Sequence, residues 1–492
     1  MKKLPRKGRS SSDVLSTMRD LKSDDVQWED GRVWSLVFHG GDEISSFLKE
    51  AYTTFFSENA LNPSAFPSLK RMETEVVSMA TNLLGGDEYT CGNLTTGGTE
   101  SILMAMNTAR EWGRARGIRK PRIVIPISAH PAFEKGGHYF DIEVVHAPVD
   151  KDFRVDLKAM KRLINKRTVM LVGSAPQYPQ GVVDPIEDIA HLAQKRGILC
   201  HVDACVGGLM LPFVRAIGYS IPAFDFSVPG VTSMSADLHK YGYAAKGASL
   251  VLYRTPELRK FQYFAYTDWP GGIYVSPTMT GTRPGGAIAA AWSIMPRLGL
   301  EGYVEITTRV MDTTVKLRDG VNAIDGLQIL GRPHMSVMCV ASTRDDIDIY
   351  EVGDNMSERG WHLDRQQSPA TLHLTINQGH ISAADEFLKD LAECTVQARM
   401  DYDADAARKE KIKNTVMRGF LKVLPGPVAS KATEFGVSMM GMGEGLPTRT
   451  AAMYGMMASL PNRGDLNTII VDLLDKMTRW EPGTETILPD EE

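Results

Sequence analysis

The chain has 492 residues, 43% of them apolar and 23% charged, with a formal net charge of -5 at pH 7. Its length exceeds what one core usually supports, so two or more packed units are expected, while so small a charge argues against non-specific attraction to nucleic acid or an anionic membrane. No window approaches the roughly 18 uninterrupted apolar residues that would span a bilayer.

The start, MKKLPRKGRSSSD, is basic and Ser-rich but runs into LKSDDVQWEDGR rather than an apolar segment, so it does not read as a secretory signal. From Ser68, SLKRMETEVVSMATNLLGG sets Leu69, Met72, Val76, Met79, Ala80 and Leu83 three and four residues apart and stops at a glycine pair. That pattern predicts an amphipathic helix with a glycine C-cap. CGNLTTGGTES then reads as a polar, Gly-rich turn opening the helix ILMAMNTAREWGRARG.

Four apolar runs follow, RIVIPIS, IEVVHAP, TVMLVGSA and GILCHVDA, each separated by helical or loop sequence. Between the last two, Asp184 reads as a helix N-cap, Pro185 as its first turn and Gly197 as its terminator. Strands alternating with helices imply an α/β fold with a mostly parallel sheet covered on both faces, whose ligands collect at the carboxyl ends of the strands. Past about residue 300 the pattern changes to long helices with the strands HMSVMCVA and TLHLTI and the helix DEFLKDLAECTVQAR, a smaller α/β unit. A tail from about Lys431 carries MMGMGEGLP and a helix around LNTIIVDLLDKM. The five cysteines, at 91, 200, 205, 339 and 394, lack CxxC spacing; they fit neither a disulfide framework nor a zinc site, and point to a reducing cytoplasm and no metal.

Four short motifs carry chemistry, each weak alone. In Thr96-Gly97-Gly98-Thr99-Glu100-Ser101, glycines let backbone approach an anion while Thr99, Ser101 and the N–H groups of a helix start donate to it; a plain N-cap would look the same. The segment matches neither P-loop nor GxGxxG spacing, which disfavours nucleotides. His201-Val202-Asp203-Ala204-Cys205 ends a strand, where the Asp203 carboxylate suits a protonated ring nitrogen or a purely structural role. In SAHPAF, His130 is placed to stack on a flat ring, although loop histidines are more often structural. In SADLHKYGYAAKG, Lys240 lies between buried runs, where a lysine is costly unless neutralised by condensing with an aldehyde. Beside it His239 can reach a phosphate, and Lys246 is either functional or a solvated loop charge. An anion cradle, a ring-stacking histidine, a carboxylate for a pyridine nitrogen and an aldehyde-binding lysine together describe a pyridoxal 5'-phosphate site.

The order of these parts resembles the large domain of fold-type I pyridoxal phosphate-dependent transferase-like enzymes, and HxDA followed by HK resembles their group II decarboxylase branch. NPSAFPSLKRMETEVV, TTGGTESILMA, SAHPAF, HVDACVGGL, VTSMSADLHKYGYAAKGASLVLY, TDWPGGIYVSPTMTGTRPGG and EGYVEIT together resemble the sphingosine-1-phosphate lyase family, from about residue 30 into the C-terminal region. The resemblance implies a soluble, bacterial-type member without the eukaryotic membrane anchor. It implies an N-terminal segment (1–60) contributing to dimer and active site, a large cofactor domain (61–300) and a small C-terminal domain (301–492). Lys240 would bond the coenzyme, Asp203 pair with its ring nitrogen, and His130 stack on the ring. Gly98, Thr99 and His239 would hold its phosphate, with Thr282 reaching across from a second subunit of an obligate homodimer. Asn59 and Lys246 would lie near the substrate's polar head, and Tyr178 of QYPQG on an active-site loop.

Three positions depart from the family pattern. Phe38 stands where tyrosine is usual, Asn62 where histidine is usual, and Gln180 where histidine is common, which implies weaker recognition of a substrate phosphate. The expected activity is cleavage of a carbon–carbon bond in a phosphorylated long-chain 2-amino-3-hydroxy substrate, giving a fatty aldehyde and phosphoethanolamine. Lys240, Lys246 and Tyr178 are each able to take the C3 hydroxyl proton. The alternatives are an amino-acid decarboxylase on the same scaffold and a catalytically silent binding protein.

Overall fold

Six strands alternating with helices, and a seventh that follows the sixth without one, make up the main sheet in a computed structural model, which describes residues 4–403, Ala451 and single positions between 467 and 478. They are β1 (Cys91–Thr95), β2 (Arg122–Pro126), β3 (Glu143–Ala147), β4 (Thr168–Ser174), β5 (Leu199–Asp203), β6 (Ser233–Asp237) and β7 (Ser249–Tyr253), in the sheet order β1-β7-β6-β5-β4-β2-β3. The pairs from β6 through β5, β4 and β2 to β3 are parallel, whereas β7 runs antiparallel to both β6 and β1. Two reversals restore the direction. The carboxyl end of β1, and the glycine turn after it, therefore lie on the same sheet edge as the carboxyl ends of β2, β5 and β6.

Every residue of β4, β5, β6 and β7 is buried, as expected of a sheet covered on both faces. Helices Gly98–Arg114 and Ile186–Arg196 pack against its central strands. The amphipathic helix expected from Ser68 spans Pro67–Leu83 and buries Leu69, Val76, Val77 and Ala80. Gly85, just beyond it, has φ +66, a conformation glycine adopts without strain.

Two local expectations are corrected. CGNLT is strand β1 rather than a turn: register with Ser249–Tyr253 of β7 overrides its weak strand propensity. Asp184 does not cap the following helix, which begins at Ile186 after Pro185 without a side-chain cap. Its buried carboxylate instead accepts the N–H groups of Val155 and Ser174 at 2.9 Å each, tying the segment at Val155 to the end of β4. Gly197 does terminate that helix, at φ +64.

Further along lie a hairpin of β8 (Phe264–Trp269) and β9 (Gly272–Ser276), then β10 (Leu327–Ile329), β11 (Val337–Ser342), β12 (Asp364–Gln367) and β13 (Ala370–Thr375). The last four form a sheet in the order β10-β11-β13-β12, with HMSVMCVA and TLHLTI supplying β11 and β13. DEFLKDLAECTVQAR falls in helix Ala384–Met400. Contacts group residues 34–340 and 373–385 in one unit, and the described residues of 1–33, 341–372 and 386–492 in another. The long helix Gly285–Ala323 belongs to the first because it packs on helices Asp42–Thr54 and Pro67–Leu83. The tail segment MMGMGEGLP and most of LNTIIVDLLDKM lie outside the described residues.

Candidate active site

A period-two run of polar residues crosses the buried sheet. In a strand, residues two apart share a face. His201 and Asp203 of β5 therefore lie beside Ser233 and Ser235 of β6, in the register His201↔Ser233 and Asp203↔Ser235, and Asp237 lies opposite Ser249 of β7. Hydrogen bonds join them: His201 Nδ1 and Ser233 Oγ are 2.9 Å apart, His201 Nε2 and Ser235 Oγ 3.4 Å, and Ser235 Oγ donates to Asp203 Oδ1 at 3.1 Å. Burial pushes His201 down to about 4, so its imidazole is neutral at physiological pH.

Asp203 ends this chain. Its Oδ1 takes both Ser235 Oγ–H and the Cys205 N–H, at 3.1 Å each, and its Oδ2 has no hydrogen-bond partner among the described residues. A buried carboxylate with one oxygen anchored and one uncommitted suits a cationic N–H donor.

Above that edge opens a cavity of about 400 Å³, lined by Thr96–Glu100, Ile102, His130, Cys205, Asp237, His239 and Lys240. Of the residues singled out in the sequence, it gathers Gly98, Thr99, His130, His239 and Lys240. Gly97 and Gly98 begin helix Gly98–Arg114, whose first N–H groups have no intrahelical acceptor. Gly98 is there for space: a Cβ would lie 2.8 Å from Asp237 Oδ2, 2.8 Å from Cys205 Sγ and 2.9 Å from Asp237 Oδ1. Glu100 braces the turn, its carboxylate accepting the Thr96 N–H and hydroxyl at 2.7 Å each and the Met279 N–H at 2.9 Å.

The two cavity histidines have fixed tautomers. His130 Nδ1 accepts the Ala132 N–H at 3.1 Å, and His239 Nδ1 accepts the Ala248 N–H at 3.2 Å, so each neutral ring carries its proton on Nε2. Burial holds both below the usual histidine range, outweighing the pull of nearby carboxylates. Lys240 Nζ forms an ion pair with Asp237 Oδ2 at 2.9 Å. Asp237 is the functional-site residue that the sequence reading passed over, although the polar repeat Ser233, Ser235, Asp237 marks the cavity-side face of β6.

The remaining sequence-derived residues are absent from this cavity's lining. Phe38 and Lys246 meet each other, with Lys246 Nζ 5.2 Å from the centre of the Phe38 ring, which in turn packs edge-on at 4.9 Å to Tyr241. Lys246 also donates to the His239 carbonyl at 3.3 Å; desolvation and the charge of Lys240 push its ammonium down to about 8. Asn59 and Thr282 meet in a second group, Asn59 Nδ2 donating to Thr282 Oγ1 at 3.3 Å. The Asn62 side-chain oxygen is spent on a local turn, accepting the N–H groups of Ser64 and Ala65. Tyr178 stacks on His373 with ring centres 3.8 Å apart, and Gln180 is buried with its side-chain oxygen accepting from Gln177 at 2.8 Å.

These residues fit pyridoxal phosphate: the glycine cradle at a helix start suits its phosphate, the anchored Asp203 its ring nitrogen, and Lys240 its aldehyde. The pyridoxal-dependent decarboxylase conserved domain matches residues 2–342. The chain is 42% identical to a sphingosine-1-phosphate lyase of Arabidopsis thaliana, covering 96% of this chain and 80% of that protein. A solved sphingosine-1-phosphate lyase of Burkholderia pseudomallei superposes with a TM-score of 0.78 at 41% identity, covering 84% of this chain and 96% of that one. A glutamate decarboxylase of Lactobacillus brevis shares the fold, with a TM-score of 0.72 at 21% identity over 82% of this chain and 95% of that one.

Proposed function

Because this chain belongs to the sphingosine-1-phosphate lyase family, we propose that the cavity at Lys240 is where it works as a pyridoxal phosphate-dependent carbon–carbon lyase. Its substrate is a phosphorylated long-chain 2-amino-3-hydroxy compound, and its products are a fatty aldehyde and phosphoethanolamine. The observation that carries the site assignment is the amine of Lys240 in a cavity with a helix-start anion cradle, opening at the sheet edge where β5 ends in the anchored carboxylate of Asp203. Pyridoxal phosphate, when bound, supplies an aldehyde for amines to condense with and a ring able to take up an electron pair.

Gly98, Thr99 and His239 would hold its phosphate, His130 its ring face and Asp203 its ring nitrogen. The chain's own groups then manage protons. Lys246 takes the C3 hydroxyl proton: with its ammonium pushed down to about 8, about one molecule in ten carries the free base at pH 7. Tyr178 is a weaker choice, stacked as it is on His373. Lys240 returns a proton to C2 once its nitrogen is free.

We assign completion of the site to a homodimer. Phe264, Tyr266, Trp269, Ile273 and Val275 of the β8–β9 hairpin are all exposed, an apolar surface suited to a second copy. Thr282 is tied to Asn59, so both enter a partner's site if either does. Five free cysteines favour the cytoplasm; among the described residues no helix is long and apolar enough to cross a membrane.

The test is to incubate the protein and pyridoxal phosphate with sphingosine-1-phosphate and, separately, with a panel of amino acids, identifying products by mass. Fatty aldehyde plus phosphoethanolamine supports the assignment. Carbon dioxide from an amino acid, with no aldehyde, overturns it.

A further inference from the structure

One buried carboxylate in the cavity has no part in holding an anion. Asp237 is 2% exposed, closes β6 and stands within the same cradle as Gly98 and His239. A negative charge there opposes a bound phosphate, so another interaction must account for it. Three neighbours fix its position. Ser249 donates to Oδ1 at 2.6 Å, His239 Nε2 lies 3.7 Å from Oδ2, and the missing side chain of Gly98 leaves room for both oxygens. The group these contacts present Asp237 to is Lys240, whose Nζ stands 2.9 Å from Oδ2.

We propose that Asp237 is a positioning residue, the seat that the Lys240 ammonium occupies whenever its nitrogen is not bonded to the coenzyme, keeping that nitrogen in place and a proton on it for return to the substrate carbon. This rests on the reading of Lys240 as the coenzyme-bonding residue. Burial alone would lower the Lys240 ammonium; the nearby carboxylates, Asp237 foremost and then Asp203, more than offset this and leave it raised. His130, His239 and Lys246 face the same region, the last opposing the charge of Lys240. The seat has a consequence for loading. Before Nζ adds to an aldehyde carbon the ammonium must give up its proton and leave Asp237, and the carbonyl oxygen then departs as water. Asp237 therefore slows coenzyme capture while favouring the later proton return.

The test compares wild type and Asp237→Asn, each stripped of coenzyme. Capture of pyridoxal phosphate, and of pyridoxal lacking the phosphate, is followed between pH 6 and 9 by absorbance and by borohydride-trapped mass on the Lys240 peptide. Removing an opposite charge at this range shifts an amine by about 1 to 3 pH units. At pH 7 the variant should capture both aldehydes roughly 10- to 1,000-fold faster, while kcat falls with little change in KM. Capture at the wild-type rate with an unmoved pH profile overturns the proposal, as does acceleration with pyridoxal phosphate alone, which would reduce Asp237 to a charge acting on the phosphate. Wild type provides a check that needs no variant. Its capture rate should rise about tenfold per pH unit through pH 9, and levelling at neutral pH overturns the seat. Trapped mass on some other wild-type peptide refutes the reading of Lys240 itself, and this proposal with it.

Discussion

Gly98→Ala tests the cradle. The added methyl would sit 2.8 Å from Asp237 Oδ2 and from Cys205 Sγ, and 2.9 Å from Asp237 Oδ1. Ordinary carbon contacts begin near 3.5 Å, so these groups or the helix start must retreat by about 0.7 Å. None of the three atoms sits at the end of a flexible side chain, and overpacking of this kind costs about 1–3 kcal/mol. If the helix start retreats, the N–H groups move off the phosphate; if Asp237 retreats, it leaves Lys240. Either route weakens pyridoxal phosphate by roughly 5- to 150-fold in Kd, read by fluorescence titration of the coenzyme-free protein. Gly97→Ala is the control. Its backbone is extended, with φ 166, and a Cβ there would meet only His239 Cε1, at 3.6 Å. It should bind within about twofold of wild type. Wild-type affinity in Gly98→Ala, or an equal loss in both variants, would refute the cradle.

Lys240→Ala should abolish the borohydride-trapped mass and the lyase activity together; a variant that still traps coenzyme places the reactive amine elsewhere. Arg283 and Glu73, both largely buried, pair through two contacts of 2.8 and 2.9 Å, and Arg283→Met alone should cost about 3–5 kcal/mol in urea unfolding, with Glu73→Gln recovering part of it. A loss under about 1 kcal/mol would show the pair to be dispensable. Asp184 is raised from 3.8 to about 6 by burial, against the pull of the Ser174 and Val155 N–H groups. The folded state thus binds its proton more tightly than the unfolded one, so the stabilisation is full below about pH 4 and lost as pH rises through about 6, a change of roughly 3 kcal/mol. Asp184→Asn should flatten that part of the pH–stability curve, and an unchanged slope would contradict the assignment.

Much of the site was legible because its parts follow strand ends. Apolar runs ending in a polar residue marked β5, and the segments after β2 and β6 held residues with chemistry, His130 and Lys240; the glycine turn was legible from its composition alone. Strand β1 itself was not legible. Its Gly92 and Asn93 are poor strand formers, and only pairing with β7 makes CGNLT extended. Asp184 illustrates a different limit: an acidic residue before a proline-started helix matches a cap by type, yet the N–H groups of Ser174 at the end of β4 and of Val155 claim it.

The two carboxylates of the site show why residue type alone could not assign roles. Asp203 and Asp237 both end buried strands on one sheet edge, and both accept a serine hydroxyl from the neighbouring strand. They differ in what is left over. Asp203 has its second donor from the Cys205 backbone and no formal cation on it, so its free oxygen is available to a ring nitrogen. Asp237 already faces Lys240 at 2.9 Å. Exchanging the roles would place the lysine's counter-charge one strand away and leave the ring nitrogen without a partner. The offset between β5 and β6, fixed by Asp203↔Ser235, is therefore what separates the carboxylate with an uncommitted oxygen from the carboxylate paired with Lys240.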